Sequence, residues 1–136
     1  MRITILSVSA LLLTACSSSG PAVVNSELMH HHWNLSAIDG VAIPSEIKSD
    51  LEIAEHLTIN GLAGCNRFFG SVTLEKNRLV AEPLASTMMA CSPQEQTVET
   101  AVMQTLGTGA TVNNKGSELE LVGDKHTLTY TLADWM

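Results

Sequence analysis

The sequence predicts an α+β domain in which one helix lies over a curved antiparallel sheet. Several segments after residue 28 alternate apolar and polar residues with a period of two, as Leu119 and Leu121 do with Glu118 and Glu120. This period is typical of strands with one face in solvent and one face in a core. A single segment, which begins at Ser92, has apolar residues at helical spacing instead.

Turn signals separate the predicted strands. Asp39-Gly40, Lys76-Asn77 and Gly123-Asp124 are predicted turns, and another is predicted at 113–116. We expect the segments between these turns to form strands with one face in solvent. Their apolar residues are Trp33, Leu35 and Ala37, Val41 and Ile43, Leu51 and Ile53, Leu57 and Ile59, Val72 and Leu74, Leu79 and Val80, Leu119 and Leu121, and Leu128, Tyr130 and Leu132.

The predicted helix has a clear start signal. Ser92-Pro93-Gln94-Glu95 combines a capping hydroxyl, a proline at the first helical position and a glutamate three residues after the cap. Apolar residues then follow at helical spacing, and Gly107 is the predicted terminator. The apolar residues are Val98, Ala101, Val102 and Leu106.

The first residues predict export and lipidation. Met1-Arg2 precedes the apolar run Ile3–Leu13, which is shorter than the roughly 20 residues of a spanning helix and typical of a signal peptide. The run ends in Leu13-Thr14-Ala15-Cys16, which resembles a bacterial lipobox. Cys16 is therefore the predicted lipidation site, where acyl chains such as palmitate anchor the protein. The alternative is an ordinary signal peptide with an incidental cysteine.

These signals divide the chain into three parts. We predict a signal peptide at 1–15, a lipidated N-terminus with a flexible tether at 16–27, and one domain at 28–136. In bacterial lipoproteins, an aspartate directly after the lipidated cysteine would resemble an inner-membrane sorting signal. Ser17 stands at that position instead, so the expected location is the periplasmic face of the outer membrane.

The net charge of the chain limits the classes of partner that the domain is expected to bind. The chain has 7 Lys+Arg and 14 Asp+Glu, a net charge of −7, and cleavage would also remove Arg2. An acidic domain of this kind is a poor partner for nucleic acid or anionic lipid headgroups. We therefore expect attachment to the membrane through lipid only, together with an unidentified envelope protein or small molecule as partner.

The remaining cysteines, Cys65 and Cys91, are predicted to form a disulfide, because exported proteins enter an oxidising compartment. Closing a loop of about 25 residues would stabilise the fold by roughly 3 to 4 kcal/mol. The alternative, a nucleophilic Cys65 beside Arg67, needs an activating base, and no histidine is near in sequence.

Other polar residues suggest no catalytic, cofactor or metal site. His30-His31-His32 cannot all face one ion from a strand, and His56 and His126 are expected in solvent. Asn66 is interpreted as a turn residue that satisfies its own backbone, and Arg67 as a partner of a local carboxylate or carbonyl. The alternative for both is a possible partner-binding role.

Two methionines invite a separate interpretation. Met88-Met89 is expected to fill the core, although an adaptable contact surface is the alternative.

Three motifs together resemble a known family. "GCNRFFG" from Gly64, "TMMAC" from Thr87 and "LTYTLAD" from Leu128 are similar to the META domain, and the lipobox adds a resemblance to its HslJ-type heat-inducible lipoproteins. This resemblance implies an α+β fold, a strongly curved antiparallel sheet with one principal helix packed on it, and no known catalysis.

The family also implies a role in the envelope, linked to heat stress and novobiocin resistance. We therefore expect a non-enzymatic outer-membrane lipoprotein that binds a protein or a small molecule. The alternative is a pilot-like lipoprotein that assists a secretion or outer-membrane assembly component.

Overall fold

The computed structural model describes residues 25–133, so the predicted signal peptide, Cys16 and most of the predicted tether lie outside the described residues. Its helices are the single turn α1 (Asn25–Leu28) and α2 (Pro93–Thr108), and a 3-10 turn spans Glu55–Leu57. The strands are β1 (His31–Ile38), β2 (Val41–Ala42), β3 (Asp50–Ala54), β4 (Thr58–Leu62), β5 (Arg67–Glu75), β6 (Arg78–Ser86), β7 (Ala110–Asn114), β8 (Glu118–Gly123) and β9 (Thr127–Leu132).

The sheet closes into an antiparallel barrel. The order is β2-β1-β3-β4-β5-β6-β7-β8-β9, and β1 pairs with β9 as well as with β3. The closing ladder runs from Trp33 opposite Leu132 to Ile38 opposite Leu128. Eight strands therefore form the ring, while β2 pairs only with the end of β1.

The α+β prediction is confirmed, and the barrel is a more specific architecture than the expected curved sheet. Closure joins the first long strand to the last, and the period of apolar residues contains no information about that pairing. Closing a sheet also removes most of its exposed edges, which would otherwise pair with other chains.

Side chains fill the barrel. An interior of eight strands is just wide enough for side chains to occupy it. Trp33, Tyr130 and Phe68 are the largest buried residues, each at most 1% exposed. The aliphatic residues around them are Leu35, Leu51, Ile53, Ile59, Val72, Leu79, Val112, Leu119, Leu121 and Leu128.

Helix α2 begins as the sequence predicts. Ser92 accepts a hydrogen bond from the backbone N–H of Glu95, and the Glu95 side chain accepts one from the N–H of Ser92. Val98, Ala101, Val102 and Leu106 of α2 are buried in the core. The N-terminal half of the helix lies against the loop between β4 and β5, at Gly64, and Thr105 lies against Gly123.

Two local predictions are wrong. The helix passes through Gly107 and ends at Thr108, because Gly109 is the residue that leaves the helix, with φ +102° and an N–H that donates to Thr105. Leu57 belongs to the 3-10 turn and not to a strand, and its φ of +55° explains why the alternation begins only after it.

The predicted hairpin turns at Asp39-Gly40 and Lys76-Asn77 are present. Both residues of each turn have positive φ, which suits the twist of a two-residue hairpin.

In the described part of the chain, no helix combines the length and apolar character needed to cross a membrane.

We predict that Gly64→Ala destabilises the protein by about 1–3 kcal/mol, because overpacking displaces the chain. A Cβ at Gly64 would lie 2.6 Å from the carbonyl oxygen of Glu95 and 3.0 Å from the amide nitrogen of Glu99. The loop would have to move away from α2. Urea unfolding of the two proteins measures the difference.

Gly107→Ala is the matched control. A Cβ at this helical position meets nothing within 4 Å, so the substitution should stabilise the protein by about 0.4–1 kcal/mol. Equal unfolding midpoints for Gly64→Ala and the parent protein would contradict the close approach of the loop to α2.

Candidate functional site

A buried carboxylate on α2 holds the loop between β4 and β5. Glu99 is 9% exposed. Its Oε1 atom accepts hydrogen bonds from the backbone N–H groups of Asn66, at 2.6 Å, and Cys65, at 3.3 Å. Hydrogen bonds to a charged acceptor are short and strong. Glu99 therefore fixes the backbone of the Gly64–Arg67 segment against the helix.

The Asn66 side chain links this loop to the segment that precedes α2. Its Oδ1 atom accepts from the N–H of Met89, at 2.7 Å, and from the hydroxyl of Thr87, at 2.9 Å. Its Nδ2 atom donates to Glu99 Oε2, at 2.9 Å, and to the carbonyl oxygen of Met89, at 3.2 Å. Asn66 is 4% exposed.

Asn66 lies in the bend between β4 and β5, but the expectation that its side chain satisfies its own backbone is wrong. Its amide is a buried junction between two loops and a helix. Nearly every hydrogen-bonding position of the amide is in use, because a buried polar group without partners is costly.

The predicted disulfide is present. Cys65 and Cys91 are bonded, with their Cα atoms 5.9 Å apart, a separation that suits a disulfide. Their sulfur atoms and a Glu99 oxygen lie within 4.8 Å of one another. Zinc binds cysteine as the thiolate, so this bonded pair is not a metal-binding set.

An exposed surface lies outside this junction. It comprises Arg67, Phe69, Met88 and Met89, and we call it the Met88 surface. The exposed fractions are 57% for Phe69, 91% for Met88 and 59% for Met89. Thr87 pairs with Arg67 through its backbone N–H, so the four residues lie at one end of the β5–β6 ladder.

One expectation for this surface is wrong. Met88 and Met89 do not fill the core, because the hydrogen bonds of Met89 to Asn66 hold this segment outside the barrel. Among residues 25–133, the Arg67 guanidinium makes no hydrogen bond or ion pair with the carboxylate or carbonyl partner that the sequence predicts.

A second polar contact joins the turn after β1 to the turn before β9. Asp39 Oδ2 lies 2.8 Å from His126 Nδ1, and Asp39 Oδ1 accepts from the N–H of Thr127, also at 2.8 Å. The bonds from His126 and Thr127 hold the pKa of Asp39 below its usual value. The expectation that His126 stands alone in solvent is wrong.

The other histidines are dispersed. His31 packs edge-on against Trp33, with ring centroids 6.1 Å apart, and His32 Nε2 lies 3.6 Å from Asp50 Oδ2. His30 is in a turn with φ +66°, and His56 is an exposed residue of the 3-10 turn.

Comparison with known proteins identifies the family. The family model for the META domain matches residues 26–135. The chain belongs to the META domain family.

The heat shock protein HslJ of Escherichia coli (strain K12) is similar to this META protein over most of both chains. The two are 35% identical over 130 aligned positions, and the match covers 93% of this chain and 92% of the relative. META domains are not a known enzyme family.

Two structures solved by NMR share the META fold. One has a TM-score of 0.75 at 34% identity and covers 84% of this chain and 98% of its own. The other, from Burkholderia xenovorans, has a TM-score of 0.66 at 27% identity and covers 87% of this chain and 97% of its own.

Two residues that bond to the Asn66 side chain, Glu99 and Thr87, were not predicted from the sequence. Glu99 follows directly after the apolar Val98 of α2, on the face of the helix that enters the core. A carboxylate at such a position requires hydrogen-bond donors. This requirement is the feature of the sequence that could have identified Glu99 as part of the site.

We predict that Glu99→Gln destabilises the META domain by about 1–3 kcal/mol, because one buried donor loses its acceptor. The amide nitrogen of the glutamine would face either the backbone N–H groups of Cys65 and Asn66 or the Nδ2 group of Asn66. Chemical unfolding of the variant measures the loss.

Glu75→Gln is the control. Glu75 is exposed at the end of β5, and surface substitutions of this kind stay within about 0.5 kcal/mol. If both variants unfold at the same denaturant concentration, Glu99 does not hold the loop.

Proposed function

We propose that this META protein is a heat-stress-related, non-enzymatic lipoprotein of the outer membrane that binds another envelope protein through the Met88 surface. The similarity to a heat shock protein supports the link to heat stress. The lipobox at Cys16 and the following Ser17 support the anchor and its location.

The observation that carries the proposal is the contrast between the two sides of one short segment. Met89 makes two backbone hydrogen bonds to the buried Asn66, while its side chain and that of Met88 lie in solvent. The disulfide attaches the end of the same segment to the β4–β5 loop. The exposed side chains are therefore presented from a fixed backbone, which lowers the entropy lost on binding.

The composition of the surface indicates the chemistry of the partner. Methionine, arginine and aromatic residues are enriched in protein interfaces, and methionine adapts its shape to the opposing surface. Arg67 adds a positive charge to a chain with a net charge of −7. A complementary partner has an apolar patch with an adjacent carboxylate, which would accept hydrogen bonds from the guanidinium.

The same geometry favours binding over catalysis. Cys65 and Cys91 are bonded to each other, and Glu99 and Asn66 are engaged with the backbone of the two loops. The polar groups of the GCNRF motif thus stabilise the loops, and the residues left for an interaction are the exposed ones.

The anchor has its own test. Cys16→Ser should release the protein from the outer membrane or leave it unprocessed, because the apolar segment before it is too short to span a bilayer. Cell fractionation with a high-salt wash measures this, and Ser18→Ala serves as the control. Retention of the Cys16→Ser protein in the washed outer membrane would contradict lipid anchoring.

The Met88 surface can be tested by site-specific photo-crosslinking in heat-stressed cells. A photoreactive phenylalanine at position 88 should give one discrete protein adduct, and Arg67→Glu should remove it by charge repulsion. The same photoreactive residue in place of Val41, which is 70% exposed elsewhere, should not give that adduct.

Lys125→Glu is the matched charge control, since Lys125 is an exposed residue of the turn before β9. An adduct that survives Arg67→Glu, or that Lys125→Glu removes equally, would contradict the surface. An adduct with a secretin-like component in stoichiometric amounts would identify a pilot-like role for the same surface.

A further inference from the structure

A cleft separates α2 from the β1–β2 hairpin, and it shares no lining residue with the Met88 surface. Its volume is about 530 Å³, within the range of roughly 300 to 1,000 Å³ that small-molecule sites occupy. It is a cleft of the surface, since the barrel interior is filled by side chains.

The hairpin side of the cleft is apolar. It is formed by Ile38, Ile43 and Pro44, while Ala101 contributes apolar surface from α2. Ala101 is 3% exposed, so it belongs to the floor of the cleft. A flat apolar group of about the size of two fused rings would bury its surface here.

The helix side of the cleft is polar but uncharged. Gln96, Thr97 and Thr100 are exposed residues of α2 that line it. The Thr97 hydroxyl donates to the Pro93 carbonyl, and the Thr100 hydroxyl accepts from the Gln96 amide. Thr97 therefore keeps both acceptor positions of its hydroxyl, and Thr100 keeps its donor and one acceptor position.

The charge of the cleft comes from its rim. Asp39 and His126 are the ionisable residues in the lining, which contains no lysine or arginine. One Asp39 oxygen is bonded to His126 and the other to Thr127. A carboxylate has about four acceptor sites, so Asp39 can accept another donor from a ligand.

The net charge of the whole chain has the same sign as the Asp39 carboxylate at the rim of the cleft. With a net charge of −7, the protein attracts cations and repels anions over its surface. The apolar walls are complementary to an apolar ring system, the hydroxyl groups to a hydrogen-bonding group, and the carboxylate at the edge to a cation.

From this arrangement we infer that the cleft binds a small amphipathic cation, with its apolar ring system against Ile38, Ile43 and Ala101 and its ammonium group at Asp39. This ligand site is independent of the Met88 surface and of lipid anchoring. Each of the two proposals can therefore fail without the other.

Three probes of equal size test the charge preference. They are 1-naphthylmethylammonium, 1-naphthalenemethanol and 1-naphthoate, titrated at pH 7 into the full-length oxidised chain made unlipidated by cell-free synthesis. Amide shifts in ¹⁵N-labelled protein report the site. We expect saturable shifts at residues 38–44 and 96–101, with the ammonium probe binding most tightly and the carboxylate probe most weakly.

Two variants identify the groups responsible. Asp39→Asn should weaken the ammonium probe by about two- to fivefold, the effect of one partly exposed ion pair, and leave the alcohol probe unchanged. Thr97→Trp should abolish binding of all three probes, because an indole would fill the cleft. The amide spectrum and the melting temperature establish that each variant is folded.

Asp124→Asn is the matched control. It removes the same charge from an exposed position two residues from His126, outside the cleft lining. The inference is wrong if the naphthoate probe binds as tightly as the ammonium probe, if no probe shifts these residues, or if both Asp variants weaken the ammonium probe equally.

Sedimentation of the free protein tests whether a second copy of the chain occupies the cleft. We expect a monomer. A dimer that dissociates in the Thr97→Trp variant would show that a second copy of the chain covers the cleft, and it would overturn the inference.

Discussion

The candidate site depends on one buried carboxylate. A buried charge is costly unless it is hydrogen-bonded, and Glu99 meets that requirement with the N–H groups of Cys65 and Asn66 and the Asn66 amide. The cost becomes a constraint, because the loop cannot leave the helix without leaving the carboxylate unpaired. The Cys65–Cys91 bond and the hydrogen bonds of Asn66 to Met89 extend the constraint to the exposed segment before α2. Glu99 thus holds Cys65 and Asn66 against α2, while Phe68 is buried as a residue of β5.

Barrel closure also constrains the surface on the opposite side of α2, at the cleft. The β1–β9 ladder places the turn after β1 beside the turn before β9. Asp39 then bonds both His126 and Thr127 across the seam. The carboxylate that joins the two turns is also the charged group at the rim of the cleft. One side chain, Asp39, therefore bonds across the β1–β9 ladder and also supplies the carboxylate at the rim of the cleft.

The sequence predicted the features that depend on neighbouring residues. The capping box of α2, the turn at Asp39-Gly40 and the alternation of Leu119 and Leu121 are all local, and all are present. The disulfide followed from cysteine number and compartment. Closure of the barrel, the contact of His126 with Asp39 and the role of Glu99 join residues far apart in the chain, and local patterns do not encode such pairs. Met88 and Met89 were misplaced because their apolar character predicted burial, while the backbone bonds of Met89 decide otherwise.

The filled barrel explains why both proposed sites lie where α2 meets the loops. An eight-stranded barrel either packs its own side chains inside or holds one small ligand there. Here Trp33, Tyr130 and Phe68 occupy the interior. Burial, with the nearby Asp50 charge as a smaller cause, raises the pKa of Tyr130 well above its usual value. Among the described residues, Trp33 Nε1 and the Tyr130 hydroxyl are buried without a hydrogen-bond partner. Each such group costs about 1–3 kcal/mol, which the large apolar area of an aromatic ring offsets. A ring system that fills space at this cost is a packing element, so ligands and partners must bind outside the barrel, on surfaces that α2 and the two loop systems create.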